Sequence, residues 1–165
     1  MFSIRTIAFS LVLAGLSPLV LAQAPLAPSA DLEPPEVVAS MLSALKKNSD
    51  EGIAELYSFS SPENRERTGP LASFEQLIRQ GFPDLLGHRD ARMAPPLMDQ
   101  GRAMVPVQVQ TRTGEISEYI FLLSQQSIPE CDGCWMADAV FSPEALQGPS
   151  PGLESSPEQP GENPA

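Results

Sequence analysis

The sequence predicts an α+β fold in which N-terminal helices come first and an antiparallel sheet of about four strands follows. Three observations carry this prediction. Apolar residues recur with a period near 3.6 in the first half of segment 36–142 and with a period of 2 in its second half. Turn-forming residue pairs that contain glycine separate the alternating runs. The segment holds about 107 residues, which is enough for one hydrophobic core.

The first helix is predicted to start at residues 34–36 (PPE), because proline is tolerated in the first turn of a helix. The apolar residues that follow recur at helical spacing and form one face: Val37, Val38, Met41, Leu42 and Leu45. Lys46 and Lys47 end the pattern, where positive charge interacts favourably with the helix dipole.

Three shorter helices are predicted next. Ser49 or Asp50 caps the second of the four, whose apolar residues include Ile53 and Leu56. The third begins within residues 60–63 and has a proline in its first turn.

The fourth helix follows a Gly-Pro break and carries Phe74, Leu77 and Ile78 on one side. Gly81 is predicted to end it in the left-handed conformation, with Phe82 packing back on Leu77.

Three runs in the second half alternate and are predicted as strands: 105–109, 116–123 and 135–141. Within the last run, four residues are expected to share one face: Trp135, Ala137, Ala139 and Phe141. A further strand at 88–93 is indicated more weakly, because polar residues occupy both of its faces. Pro106 lacks an N–H group, so it predicts an edge strand or a bulge.

Charge and composition exclude several classes of function. The chain of 165 residues carries 21 acidic and 10 basic side chains, a net charge of −11. A nucleic-acid-binding protein needs clustered Lys and Arg to neutralise phosphates, so this class is excluded. One histidine and two cysteines cannot provide an ordinary four-ligand zinc site without carboxylates, and the sequence has no glycine-rich phosphate-binding loop. We therefore predict no metal and no cofactor.

Residues 1–22 are predicted to be a secretory signal peptide. Arg5 provides the positive start, residues 7–16 form a short apolar run, and small residues precede a cleavage site after Ala22. Cleavage two residues later also satisfies the small-residue rule, but it would leave a proline directly after the cut. An uncleaved membrane anchor is the alternative. The run is short for a bilayer of about 30 Å, however, and Pro18 interrupts it.

The protein is therefore predicted to be exported to the periplasm or the extracellular space, or to a lumen in a photosynthetic cell, with no membrane attachment after cleavage. Proline-rich segments flank the central domain at 36–142: a linker at 23–35 and a tail at 143–165 that carries four glutamates. Such segments bury too little apolar surface to offset chain entropy, so we expect both to be disordered.

An ordered series of short patterns resembles a known family. The series comprises residues 45–50 (LKKNSD), residues 59–64 (FSSPEN), Phe74 with residues 78–79, and residues 133–136 (GCWM). It is similar to a group of uncharacterised exported bacterial and plant proteins, domain of unknown function 4864. The order of helices and sheet also resembles the nuclear-transport-factor-2-like (cystatin-like) superfamily, which implies a curved sheet that wraps a helix and leaves a conical pocket. The family brings no known activity.

Cys131 and Cys134 form a CxxC motif just before the last predicted strand. In an oxidising compartment, a structural disulfide that pins the hairpin is the favoured interpretation. Free thiols or a metal site are the second, with His88 as the single additional soft ligand. A redox-active pair is the third, because such pairs usually lie at a helix N-terminus, and Glu130 and Asp132 disfavour a thiolate.

No catalytic residue is assigned, but three residues are candidates for acid–base chemistry: His88, Asp90 and Asp138. On a strand, His88 and Asp90 would share a face with Arg92, and an imidazole beside a carboxylate can act as an acid–base pair. A salt-bridged strand edge is the structural alternative. Asp138 lies between alanines in a mostly apolar strand and needs a partner if it is buried. Three arginines are candidate partners: Arg79, Arg89 and Arg102.

Three aromatic residues are candidates to line a pocket, although such residues commonly belong to the core: Tyr57, Tyr119 and Trp135. The favoured function is a non-catalytic module that binds a small ligand or a protein partner, because no motif supplies a nucleophile, a base and an anion donor together. The alternative is a hydratase- or isomerase-like enzyme with Asp138, Asp90 or His88 as the base. A third function is assembly through the sheet face, for which the superfamily resemblance implies a homodimer.

Overall fold

The change of hydrophobic period along the chain produces the α+β fold that the sequence predicts. The computed structural model describes residues 27–143, so the predicted signal peptide and residues 144–165 of the predicted tail lie outside the described residues. Four helices come first: α1 (Pro34–Lys47), α2 (Asp50–Ser58), α3 (Pro62–Thr68) and α4 (Leu71–Gly81). Five strands follow: β1 (Asp90–Met93), β2 (Leu97–Asp99), β3 (Arg102–Gln110), β4 (Ile116–Ile128) and β5 (Cys131–Phe141).

Side chains cap the starts of α1 and α2, and a left-handed residue ends α1. The backbone N–H of Glu33, the N-cap of α1, donates to the Glu36 carboxylate at 2.8 Å in a capping box. Asn48 ends α1 with a left-handed φ of 49°, a conformation that asparagine tolerates better than most residues. The Ser49 hydroxyl then accepts from the N–H of Gly52 at 3.2 Å and caps α2. Of the two predicted caps, the serine is therefore the one that is used.

The predicted end of α4 is wrong. Gly81 is the last helical residue and does not have a positive φ, and Phe82 takes the cap position with φ −134°. The Phe82 ring lies 6.1 Å from the Tyr119 ring of the sheet, while Leu77 remains 40% exposed. The sheet offers Phe82 more apolar surface to bury than its own helix does, so the tertiary contact replaces the local one.

The sheet is antiparallel in the order β1-β3-β4-β5, and β2 pairs with the same edge of β3 as β1 does. The weakly predicted strand at 88–93 begins at Asp90, so His88 precedes it. Within residues 27–143, none of the helices is long and apolar enough to span a membrane.

Pro106 lies in an internal strand, which makes the prediction of an edge strand wrong. The N–H of Ala94 donates to the Pro106 carbonyl at 2.9 Å, so the backbone of Pro106 faces β1 and β2 rather than β4. Residues 94–96 separate β1 from β2 at this level. The missing N–H of the proline therefore faces a break in the sheet edge and leaves no ladder bond unmade.

The face of the sheet that packs on the helices forms the core. Its buried residues on β3 and β4 alternate as the sequence predicts: Ala103, Val105, Val107, Val109, Tyr119, Phe121 and Leu123.

The alternation breaks in β5. Leu123 pairs with Ala137 and Leu122 with Ala139, so Asp138 is the extra residue of a β-bulge. Val140 then lies opposite Phe121 and packs against the core. The prediction that Ala139 and Phe141 share the face of Trp135 is therefore wrong, because one inserted residue exchanges the two faces of a strand.

Candidate functional site

The candidate site is a cavity of about 270 Å³ between the helices and the sheet. Helices α1, α2 and α4 form one wall, and β4 and β5 form the other. Its walls are largely apolar and include Met41, Leu56, Phe74, Phe121, Ala137 and Val140. A concave apolar site with a few polar groups at its edge is the usual form of a small-molecule site.

Helix α3 supplies most of the polar groups of the cavity. Its Asn64 amide donates to the Ala137 carbonyl at 3.1 Å, and its Thr68 hydroxyl donates to the Asn64 carbonyl at 2.8 Å. Its Arg67 guanidinium donates to the Glu63 carboxylate at 2.8 Å. These bonds hold the polar groups in fixed positions along one side of the apolar cavity.

The chain before α3 attaches this helix to β5. The backbone N–H of Ser61 donates to the Ala137 carbonyl at 2.9 Å, and the N–H of Ala137 donates to the Phe59 carbonyl at 2.8 Å. The Ser61 hydroxyl accepts from the N–H of Asn64 at 3.2 Å and caps the helix. A helix with no buried residue is thereby positioned by its N-terminal connection. The sequence shows the cap but not this docking, so we did not predict Asn64, Arg67 or Thr68 as site residues.

Asp138 borders the cavity and also a groove of about 500 Å³ that includes Leu97, Met104 and Leu122 on the outer face of the sheet. Its backbone carbonyl accepts a hydrogen bond from Arg67. Among the described residues, no cationic group lies within ion-pair distance of its carboxylate. The carboxylate is therefore available to a ligand at the edge of the cavity.

The arginines that we predicted as partners of Asp138 are placed elsewhere or do not reach it. Arg79 donates to Glu75 at 2.9 Å and also to Asp50. The hydrogen bond to Glu75 is the largest of the causes that raise the pKa of the Arg79 guanidinium, and Asp50 adds to it. Arg102 shares the outer groove with Asp138 without forming an ion pair.

His88 and Asp90 do not border the cavity. His88 is buried, with 3% of its surface exposed, and its Nδ1 lies 2.8 Å from the Leu85 carbonyl oxygen. Asp90 is exposed, and its nearest cation is Arg92 at 3.7 Å. The structure therefore separates the histidine from the strand on which the sequence suggested an acid–base pair.

None of the three aromatic candidates lines the cavity, although Tyr119 borders a separate pocket of about 340 Å³. The Tyr57 hydroxyl donates to the Gly69 carbonyl at 3.0 Å, and its ring packs on Phe74 with the centroids 5.0 Å apart. Tyr119 is buried in the core, and burial raises the pKa of its phenol, with a smaller contribution from the charge of Asp84. Trp135 is also a core residue. The contact of Tyr57 joins α2 to α4, and the ring of Tyr119 packs on Phe82 at the end of α4.

Cys131 and Cys134 lie on the opposite side of α3 from the cavity. Their sulfur atoms are at disulfide-bonding distance and their Cα atoms are 5.6 Å apart. Gly133 between them has a φ of 84°, which favours glycine. A second cleft, of about 540 Å³, adjoins Cys131 and contains Arg65 of α3.

Comparisons with known proteins identify a matching family and similar solved structures. A family model described as Domain of unknown function (DUF4864) matches residues 29–147. No curated protein matches the chain. Among solved structures, the solution structure of a SEC-C motif containing protein from Rhodopseudomonas palustris is similar, with 14% identity over 69% of this chain and 80% of that chain and a TM-score of 0.47.

Proposed function

This chain belongs to the family described as Domain of unknown function (DUF4864), and from that premise we propose that it is a non-catalytic module that binds a small apolar ligand. The observation that carries the proposal is the cavity of about 270 Å³ between the helices and β5. Its apolar walls favour the transfer of an apolar group from water, and the polar groups of α3 orient the ligand at one side.

We also propose the finer placement in the nuclear-transport-factor-2-like superfamily and the export of the protein. The order of four helices and a curled antiparallel sheet, with a cavity between the two layers, supports the superfamily placement. The apolar run at 7–16 and the small residues before Gln23 support export. Intact-mass measurement of the protein from its native source tests export, because cleavage after Ala22 removes residues 1–22. The same measurement under native conditions reports a retained ligand and the oligomeric state.

A fluorescence titration with an apolar amine, N-phenyl-1-naphthylamine, tests ligand binding by measuring the affinity for this dye. V140F extends a side chain from the wall into the cavity, so we expect the affinity for the dye to fall at least about tenfold. L122F is the matched control, since Leu122 lies on the outer face beside the groove and not in the cavity. Equal affinity for wild type, V140F and L122F, with all three folded, contradicts binding in this cavity.

The enzymatic alternative keeps one candidate base, because Asp138 borders the cavity and its carboxylate makes no ion pair among the described residues. A hydratase or isomerase that used this carboxylate would remove a proton from the bound molecule. Any ligand retained on purification can therefore be incubated with the protein in deuterated water and followed by nuclear magnetic resonance. Deuterium uptake with wild type and not with D138N establishes catalysis, and no uptake with wild type supports simple binding.

A further inference from the structure

The two cysteines of the CxxC motif differ in their access to solvent. Cys134 is fully buried, whereas Cys131 is partly exposed at the start of β5 and adjoins the cleft of about 540 Å³. The Cys131 sulfur lies 3.8 Å from the carbonyl oxygen of Pro28, which also borders this cleft. A thiol that enters the cleft can therefore reach the sulfur of Cys131 but not that of Cys134.

The cleft also contains a positive charge with an unused hydrogen-bond donor. Arg65 donates to the Ser58 carbonyl at 2.8 Å, and its guanidinium carbon lies 5.1 Å from the centre of the Tyr57 ring. Its Nε is the one buried side-chain polar atom without a hydrogen-bond partner among the described residues. Buried donors are almost always paired, so this N–H lacks the acceptor that such a group normally has. A thiolate on Cys131 is an anion in the same cleft.

The disulfide contributes little to the stability of the fold. It closes a loop of four residues, and the gain from loop closure is smallest for short loops. The β4–β5 hairpin is already paired on both sides of the turn, at Ile128 with Cys131 and at Ser127 with Asp132.

We propose that Cys131 and Cys134 form an exchangeable disulfide that oxidises thiols, with Cys131 as the attacked sulfur and Arg65 as the residue that stabilises its thiolate. The proposal is independent of ligand binding in the apolar cavity, because the cleft lies on the other side of α3. Thiol–disulfide exchange of this kind depends on an accessible sulfur whose thiolate is favoured by a cationic group. The cleft contains both Cys131 and Arg65, and it also contains Glu130, whose negative charge opposes the effect of Arg65.

The exchange needs a co-substrate with two thiol equivalents, either two small thiols or a protein dithiol. A thiolate of the co-substrate attacks Sγ of Cys131, and a new S–S bond forms between them. The Cys131–Cys134 bond breaks, and its electron pair leaves with Sγ of Cys134, which takes up a proton from water. A second thiolate attacks the co-substrate sulfur of this mixed disulfide and releases Cys131 as a thiolate. The co-substrate is then a disulfide, and this chain is a dithiol.

Glutathione serves as the probe for the first test, on the full-length folded protein. Reduced glutathione is expected to reduce the native disulfide, as read by alkylation and mass spectrometry. For the single-cysteine variants, C134S is expected to form a mixed disulfide with oxidised glutathione at least about tenfold faster than C131S, because only Cys131 is accessible. A disulfide that stays intact in reduced glutathione until denaturant is added overturns the proposal, as does equal reactivity of the two variants.

Charge variants then test the role of Arg65 in the C134S background. We expect R65Q to slow the reaction at neutral pH about tenfold and to move its pH profile to higher pH, whereas R65K restores part of the rate. R92Q is the matched control, since it removes the same charge from an exposed arginine that borders neither the cleft nor the apolar cavity. Equal rates and pH profiles for R65Q and R92Q exclude the role of Arg65.

If R65Q does not fold, a second variant, E130Q, tests the electrostatic control of Cys131. E130Q alters an exposed residue at the rim of the cleft and removes a negative charge, so it is expected to speed the reaction and to shift the pH profile to lower pH. An unchanged profile in folded E130Q argues against electrostatic control of Cys131.

Discussion

The β-bulge at Asp138 determines which polar groups border the apolar cavity. Without a bulge, β5 would keep its alternation, and the residues after Asp138 would lie on the opposite faces of the strand. With it, Val140 reaches the core, and the Asp138 carboxylate stands between the cavity and the outer groove. Bulges commonly redirect a side chain in this way beside functional sites.

Tyr119 is expected to make stability depend on pH in the alkaline range. Burial raises its folded pKa above the 10.0 of the unfolded chain, so the folded state holds the proton more tightly. The resulting stability is complete below pH 10 and decreases as pH rises through the folded pKa. In thermal melts from pH 9 to pH 12, the melting temperature should fall more steeply with pH for wild type and Y57F than for Y119F. A slope in Y119F equal to that of wild type contradicts this assignment.

Gly52 and Gly81 are a matched pair of helical glycines. A Cβ at Gly52 would lie 2.4 Å from the Ala44 carbonyl oxygen of α1, whereas a Cβ at Gly81 meets nothing within 4 Å. We expect G52A to lower the free energy of unfolding by about 2 kcal/mol through overpacking. G81A should raise it by up to about 1 kcal/mol through helix propensity. Urea unfolding measures both, and a neutral G52A would show that α1 and α2 separate without penalty.

At the scale of the elements, one short helix serves two different sites. Arg65 and Arg67 are two residues apart on α3, so they point to different sides of it. Arg65 borders the same cleft as Cys131, and Arg67 borders the apolar cavity. The position of α3 on β5 therefore affects the chemistry of both sites.

The cap of α2 gives a prediction at this scale. The Ser49 hydroxyl accepts from the N–H of Gly52 at 3.2 Å, and its loss leaves a helix N-terminal donor without a protein partner. We expect S49A to lower the free energy of unfolding by about 1 kcal/mol. S73A, at an exposed position inside α4, should leave it nearly unchanged. Equal urea midpoints for the two variants would assign the start of α2 to packing rather than to its cap.

The described residues contain one continuous core. The buried apolar residues from Val37 to Ala137 form a single cluster, with Leu32 and Val140 packed against it. We therefore expect a chain of residues 27–143 to unfold cooperatively at the same urea midpoint as a chain of residues 23–165. A lower midpoint for the shorter chain would show that residues 23–26 or 144–165 contribute to the stability of the domain.

Several elements of the fold could be predicted from local signals. The start of α1, the cap at Ser49 and the alternation of β3 each depend on residues a few positions apart. The local prediction failed at Gly81, where Phe82 packs on Tyr119 from a different part of the chain. It failed also at Pro106, whose environment is set by a gap between two other strands.

The sequence by itself determined the order of helices and strands, most of the buried faces and the family, because periodicity, caps and short patterns are local properties. Only the tertiary structure decided the chemistry of the sites. It placed a bulge at Asp138, separated His88 from Asp90, docked α3 on β5 and brought Arg65 and Cys131 to the same cleft. These relations join residues far apart in the chain, and one residue of strand register changes them, so no local pattern contains them.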